Sequence, residues 1–460
     1  MAGSETADDR AIAGAGAADG GSALRGAAGR DAEEAPGRNE QELNANGRVL
    51  SPHWKRAVSV IWTGQAASVL ATYAATFAAM WFITETTGSA LYLALGGIAS
   101  LLPTALLSPL GGVAADRLNR KRLMIVADGT AGLFSLALAA VVALDQVSVP
   151  LLLALLTVRS CAQAFHGTAL MALAPELVPA RHMVRINTLD QMLTSASGII
   201  GPILGIALFA AFGFQSVLLL DAACAAVACL CLGVANIPNA RGGAASSGSA
   251  FADLREGLDC IREDRGLARL MVLVMAAMVV FMPTGTLYPL MTYGWFGGDG
   301  FQASLVEAAT GIGLLAGSML LFAWGGGTRL VRVMGAAGLV MGGCSIACGL
   351  LPVTAFPAFA VLASVTFAAM GVFNGPIAPL IQKRVPADRY GRVVGLFLTG
   401  STLATPVGLL VAGIGAQALG VTTWFVISGG MLAAIMAVAL RSPSVRALDN
   451  AGEDENERDA

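Results

Sequence analysis

Between residues 57 and 440 the chain is a succession of apolar runs, each long enough to cross a bilayer, for which a helix needs about 20 residues. The runs occupy 57–81, 91–115, 123–144, 150–173, 189–212 and 216–234, then 270–290, 303–324, 331–351, 355–380, 393–419 and 422–440. Their length favours helix over strand. In hydrocarbon, helices also satisfy every backbone N–H and C=O within the segment. Only 13% of residues are charged, against about 25% in a soluble domain. The expected fold is an all-α membrane protein of twelve transmembrane helices in two pseudo-symmetric six-helix bundles.

Orientation follows from the bias of Lys and Arg toward the cytoplasmic ends of spans. With the amino terminus inside, all but one of the 28 Lys and Arg residues fall on inner segments, and the exception is Arg159 within the fourth span. Both termini are therefore expected in the cytoplasm. The divisions are a disordered, Gly/Ala-rich tail without a secretory signal (1–56), a first bundle (57–236), a polar cytoplasmic linker (237–268), a second bundle (269–441) and an acidic, solvated tail (442–460). Of the seven cysteines, Cys260 falls in the cytoplasmic linker and the rest in apolar runs, which argues against a disulfide framework. Cys344 and Cys348 share a helix face without a nearby His or carboxylate, and read as packing residues.

The halves echo each other. Pro175 and Pro379 end the fourth and tenth spans while Pro202 and Pro406 interrupt the fifth and eleventh, each pair 204 residues apart. An internal parallel repeat is the plan of transporters whose substrate site lies between two rocking halves. The most specific segment joins the second and third spans: Gly112-Val113-Ala114-Ala115-Asp116-Arg117-Leu118-Asn119-Arg120-Lys121-Arg122. Here Gly112 is expected to let helices approach closely, and the basic cluster to clamp carboxylates or helix C-termini across the interface between halves. Asp128, about one and a half turns into the third span, is expected to join that clamp through Arg117. The pattern resembles the signature loop of the major facilitator superfamily. Asn119 stands where that family usually has Gly, a substitution that a left-handed backbone tolerates.

Further stretches resemble the macrolide-efflux and siderophore-exporter type of drug:proton antiporter in that family. They are Ile61-Trp62-Thr63-Gly64-Gln65, Thr87-Gly88-Ser89-Ala90, Pro175-Glu176-Leu177-Val178-Pro179, Gly201-Pro202, Val385-Pro386 and Gly391-Arg392-Val393. Gly198, Gly201, Pro202 and Gly205 resemble the antiporter glycine-proline motif without its full spacing. With Pro406 they suit helix bending, tight packing being the other reading. Arg159 resembles the family's fourth-helix Arg, which the resemblance links to proton handling.

Ionisable residues inside a bilayer are costly, so each is a functional candidate. Arg159 is expected to act with Glu307 or Asp221, either of which could load a proton in the outer half of a cavity. A bond to a neighbouring backbone is the alternative for Asp221. His166, two turns from Arg159, is a candidate relay or a hydrogen-bonded packing residue. Gln65, Tyr73, Trp81, Gln163, Asn187, Gln191, Tyr288, Tyr293 and Asn374 are candidates to line a cavity for an amphipathic cargo.

None of the three lysines, Lys55, Lys121 and Lys383, follows a Gly, so no phosphate-cradling Gly-Lys-Ser/Thr loop is present. Three histidines, His53, His166 and His182, supply neither a metal cluster nor a nucleophilic triad. A net charge of −2 with dispersed basic residues disfavours nucleic acid. The resemblance implies a secondary active exporter in a bacterial cell membrane, moving a drug-like small molecule in exchange for protons, monomeric and without cofactor or metal. Alternatives are a dedicated siderophore or metabolite exporter of the same fold, and a membrane sensor or scaffold that does not transport.

Overall fold

The computed structural model describes residues 54–235, 250–327 and 329–450. The first half comprises α1 (Trp54–Thr87), α2 (Ala90–Arg117), α3 (Arg120–Ala143), α4 (Val149–Leu177), α5 (Met183–Phe212) and α6 (Phe214–Val234). Helix α7 (Ala250–Glu263) precedes a second half of α8 (Arg265–Thr286), α9 (Tyr288–Gly294), α10 (Gly300–Trp324), α11 (Leu330–Leu350), α12 (Phe356–Asn374), α13 (Ile377–Gln382), α14 (Ala387–Leu419) and α15 (Val421–Arg441), closed by α16 (Pro443–Asn450). Twelve spans are long and apolar enough to cross a membrane, α12 and α13 together forming one of them. Because twelve is even, the first span begins and the last ends at the same face, called terminal below; the opposite face is distal.

The halves repeat one packing scheme. In the first, α1 packs on α5, α2 on α4, and α3 on both α4 and α6. In the second, α8 packs on α14, α10 on α12, and α11 on both α12 and α15. Each α5/α6 and α14/α15 turn is a single glycine with positive φ, Gly213 at 79° and Gly420 at 87°, a conformation that costs other residues a Cβ clash. Within each half the crossings bring backbone against backbone. A Cβ on Gly205 would meet the Ala74 carbonyl oxygen of α1 at 2.4 Å, and one on Gly408 would meet the Val279 carbonyl oxygen of α8 at 2.2 Å. Small residues permit such approaches where no hydrophobic force acts between helices in lipid.

Several sequence expectations are corrected. The seventh span ends at Thr286 and restarts as α9 over Pro289, and the tenth breaks after Asn374 at Gly375 and Pro376. Hydropathy does not fall at either break, so the sequence read each as one helix. The linker is not wholly a polar loop: α7 buries Cys260 and Ile261 against the second half, and Glu256 pairs with Arg392 at 2.8 Å. The carboxy-terminal tail does not begin at 442, because α16 buries Val445 and Leu448, and Asp449 accepts the Val331 backbone N–H at 2.7 Å. That carboxylate satisfies one of the orphan donors at the start of α11. The acidic residues beyond 450 and the tail before 54 lie outside the described residues.

Packing between the halves is asymmetric. Every buried residue of α5 lies at or beyond Ser197, in its distal half, and from Met183 to Ala196 none is buried. Buried positions of α14 run from Ala404 toward the distal end, apart from Val393. Over this stretch α5 rests only a stripe (Met183, Ile186 and Leu193) on its own half, which leaves its other faces to lipid and to an opening. The halves are therefore parted toward the terminal face and joined toward the distal face.

Candidate functional site

The distal closure is built from side chains. Phe77 and Trp81 of α1, Ile206 of α5 and Ala303 of α10 form one buried cluster, and Trp81 meets Tyr293 edge-on at 5.8 Å. Gln417 of α14 accepts from the Ser89 hydroxyl at 2.9 Å and from the Leu91 backbone N–H at 3.5 Å, at the start of α2 in the other half. Gly97 meets Leu409, and Gly413 meets Ala94, beside this contact. Trp81 and Tyr293, expected in a cavity wall, thus belong to the closure.

Inside the first half, Arg159 of α4 and Asp221 of α6 form a fork-to-fork pair, with Nη2 donating to Oδ1 at 2.9 Å and Nη1 lying 2.8 Å from Oδ2. Ser135 of α3 donates to Asp221 at 2.5 Å and accepts from Arg159 at 3.2 Å, while Thr72 of α1 donates to Asp221 at 3.4 Å. Four helices meet on one carboxylate, and a planar guanidinium is the side chain that suits such two-point binding. The adjoining void, lined by Ala75, Ala79, Phe134 and Leu156 among others, is about 10 Å³, at the lower limit for one water. No cargo fits there, so this pair is a structural and ionic centre, not a cargo pocket.

The sequence offered Asp221 and Glu307 as alternative partners of Arg159, and the geometry brings Asp221. Glu307 sits in α10 of the other half, where its backbone carbonyl accepts from Thr310 at 2.7 Å. Among the described residues its carboxylate has no hydrogen-bond or ion-pair partner. Asp128 does not meet Arg117, which is exposed. Its carboxylate instead lies 3.4 Å from His166 Nε2 and accepts from Gln65 Nε2 at 3.3 Å.

The clamp at the terminal face also differs from expectation. Arg120 pairs with Glu176 of α4 and donates to the Ala115 and Ala172 carbonyls at 3.0 and 2.9 Å. Lys121 donates to the Gly233 and Ala235 carbonyls, at 2.9 and 2.8 Å, where α6 ends, as a cation at a helix C-terminus should. All these partners lie in the same half, so these bonds tie α2, α3, α4 and α6 together and do not reach the other half. Asp116 sits 3.6 Å from Arg120 and is half exposed. Gly112 has open space where a Cβ would be; the close approach is made by Gly111, whose Cβ would meet Ala164 of α4 at 2.9 Å. Asn119 is extended, not left-handed, and its side chain caps α3 by accepting from the Arg122 N–H at 3.1 Å.

Glu176 → Gln should lower stability by about 1.5–3 kcal/mol, the range for hydrogen bonds to charged groups, because Arg120 is largely buried beside it. The check is the thermal midpoint of purified protein together with faster amide hydrogen exchange at the end of α4. Asp116 → Asn removes a half-exposed pair worth about 0–1 kcal/mol, so loss of transport in that variant would report on the clamp and not on folding.

The cavity candidates divide. Gln163, Asn187 and Gln191 are exposed, the last two one turn apart on the unpacked half of α5. Asn374 is exposed at the break in the tenth span, beside a cleft of about 520 Å³ lined also by Ser318, Phe322 and Pro376. Tyr73 is 37% exposed and packs over Gly201, whose Cβ would fall 2.6 Å from that of Tyr73; Gly198 sits looser, at 3.8 Å from the ring. Tyr288 is not in a wall at all: it is 2% exposed, stacked on Phe425 and edge-on to Phe359. Gln65 is buried with Asp128. Pro202 and Pro406 both lie inside continuous helices, α5 and α14.

Four contributors were missed. Glu176 stood within a quoted motif and carried the only usable signal. Thr72 and Ser135 are ordinary hydroxyls in apolar helices, and Asp190, which accepts from Trp62 Nε1 at 2.6 Å, sits at the edge of its span.

Comparison with known proteins agrees with this architecture. The chain is 29% identical over 398 residues to macrolide efflux protein A of Streptococcus pyogenes, covering 86% of this chain and 98% of that one. It is 27% identical over 388 residues to the multidrug efflux pump Tap of Mycobacterium tuberculosis, covering 80% and 89%. Among solved structures it resembles a bacterial homologue of the human lysosomal transporter Spinster, in an inward-facing and unoccupied conformation, with a TM-score of 0.63 and 14% identity over 87% of this chain and 98% of that one. The nucleoside transporter NupG has a TM-score of 0.60 at 15% identity, covering 82% of this chain and 97% of that one. The family model for the Major Facilitator Superfamily matches residues 61–408, and together with twelve spans in two repeated halves this makes the chain a multi-pass cell-membrane transporter belonging to that superfamily.

Proposed function

We propose that this transporter exports an amphipathic, drug-like compound across the cell membrane in exchange for protons, by alternating access, with both termini in the cytoplasm. One observation carries the reading: apart from Val393, the buried residues of α5 and α14 all lie in their distal halves, and the terminal halves rest only partly buried side chains on their own bundles. With the basic residues inside, that opening faces the cytoplasm, where an exporter collects its cargo. Asn187 and Gln191 share an exposed face of α5 with Val184, a polar and apolar mix that suits amphipathic compounds. Arg159 and Asp221 link four helices at an ionic centre, and Pro202 and Pro406 supply bending points in the two matching helices. The names of the similar efflux proteins point to macrolides and other drugs as the first compounds to try.

The test uses inside-out vesicles carrying the full chain, energised to a fixed pH gradient, with a quenched acridine dye reporting proton release as erythromycin, ethidium or a hydroxamate siderophore is added. Release with erythromycin or ethidium, absent from vesicles lacking the protein, is expected. Release with the siderophore alone would replace the drug reading by a dedicated exporter. No proton movement alongside measurable uptake of erythromycin or ethidium would overturn antiport.

A further inference from the structure

The first half contains a second polar layer that the ionic centre does not use. Gln65 and Thr72 on α1, Asp128 and Ser135 on α3, and His166 and Arg159 on α4 are each seven residues apart. Seven residues are two turns, about 10 Å along the axis, so each helix presents one member to each layer. Thr72, Ser135 and Arg159 meet Asp221 in one layer. Gln65 and His166 meet Asp128 in the other. Asp128 is eight residues from the terminal-face start of α3 and Asp221 seven from the distal-face start of α6, so the Asp128 layer lies nearer the terminal face.

The layers differ in charge. Arg159 and Asp221 sum to zero when both are ionised. Asp128 with a neutral His166 leaves one negative charge, on side chains only 8% and 6% exposed, and an uncompensated buried charge is strongly unfavourable. One proton cancels it. Among the described residues, no permanent cation faces the layer to do so. Facing this layer are Cys229 of α6, whose thiol donates to the Ile125 carbonyl at 3.6 Å, and Asp190 of α5, held by Trp62 less than one turn from Gln65. Arg159 is engaged by Asp221 one layer away, and Arg120 by Glu176 at the terminal end. His166 Nε2 and Gln65 Oε1 are both buried without a hydrogen-bond partner, which is unusual for buried polar atoms. A site complete in its resting state would not leave both unpaired.

We propose that the exchangeable proton of the first half resides on the Asp128–His166 pair, and not on Arg159–Asp221. Loading transfers a proton from water to His166 Nε2, forming the N–H bond and converting a net charge of −1 to zero; release returns it to water on the terminal side. Asp221 keeps its two-point contact with Arg159 throughout. This deepens the proton-antiport reading and rests on it, while the site itself is read without transport.

The experiment is nitrogen-15 NMR of the full chain in detergent micelles, labelled at histidine, titrated between pH 5 and 9. The His166 resonances are identified by their loss in His166 → Gln. His166 is expected to change between neutral and imidazolium patterns in this range. Asp128 → Asn should move its midpoint by about one pH unit or more, the usual effect of a close charge, and Asp221 → Asn should not. If Asp128 → Asn does not fold, Asp128 → Glu keeps the charge and should keep the titration. A His166 that does not titrate, or that responds to Asp221 → Asn as strongly as to Asp128 → Asn, overturns the proposal. A titrating His166 in a protein that moves no protons in vesicles supports the site and sinks antiport instead. Proton-coupled export with a non-titrating His166 preserves antiport and removes this site from it.

Discussion

Arg159 → Met is expected to destabilise the protein by about 3–5 kcal/mol, because it strands the Asp221 carboxylate among four helices with its ionic partner gone. For bundles of this size that is a fall in thermal midpoint on the order of 10 °C. Transport should be lost as well. The informative companion is the double variant Arg159 → Met with Asp221 → Leu. Replacing both members of a buried pair by apolar residues is often neutral or stabilising, so the double variant should regain most of the midpoint while remaining inactive. Midpoints of the purified variants, read beside erythromycin efflux from cells, separate the two roles. If the double variant is as unstable as the single one, the pair is not the source of the loss. If it transports normally, the ionic centre has no part in the cycle.

Gly317 → Ala should have an effect of comparable size on assembly. A Cβ at Gly317 would lie 1.8 Å from the Ala368 carbonyl oxygen of α12, and at Gly313, one turn earlier, 2.1 Å from that of Ser364. Both obstacles are backbone, which cannot rotate away. Overpacking commonly costs about 1–3 kcal/mol, and a contact this short forces α10 and α12 apart along their whole crossing, so most of the protein should fail to accumulate in the membrane. Gly343 → Ala in α11 is the control, since a Cβ there meets nothing within 4 Å. That change should be neutral, or stabilising by up to about 1 kcal/mol through helix propensity. Fluorescence-detected size exclusion of tagged variants would read both. Equal yields would mean that the α10/α12 crossing is looser than its geometry indicates.

Much of the architecture was legible because hydrocarbon imposes length and apolarity on every span, and the 204-residue spacing of Pro175/Pro379 and Pro202/Pro406 exposed the repeat. What escaped has physical reasons. Helix α7 escaped because its apolar face is only a stripe on a polar segment, and the break at Gly375 and Pro376 because the residues around it stay apolar. The price of burying charge singled out Arg159, Asp221, Asp128 and His166 one by one. Their pairing did not follow, since residues 62 and 38 positions apart meet through helix packing and not through any local period. The same limit sent Asp128 to Arg117, its neighbour in sequence, and not to His166, its neighbour in space.

The helices differ in length in a patterned way. Spans α6, α11 and α15 have 21 residues each, about 32 Å at 1.5 Å per residue, and pack mainly within their own half. The crossing helices α1 and α14 have 34 and 33 residues, about 50 Å, well beyond the roughly 30 Å of hydrocarbon in a bilayer. Hydrophobic mismatch therefore falls unevenly. A thicker membrane leaves the short outer spans too short and strains the walls, at a fraction of a kcal/mol per ångström, while the long inner helices absorb the change by tilting. Acyl-chain length thus becomes a handle on this protein: the scaffold is matched to one thickness, and the long crossing helices carry length to spare.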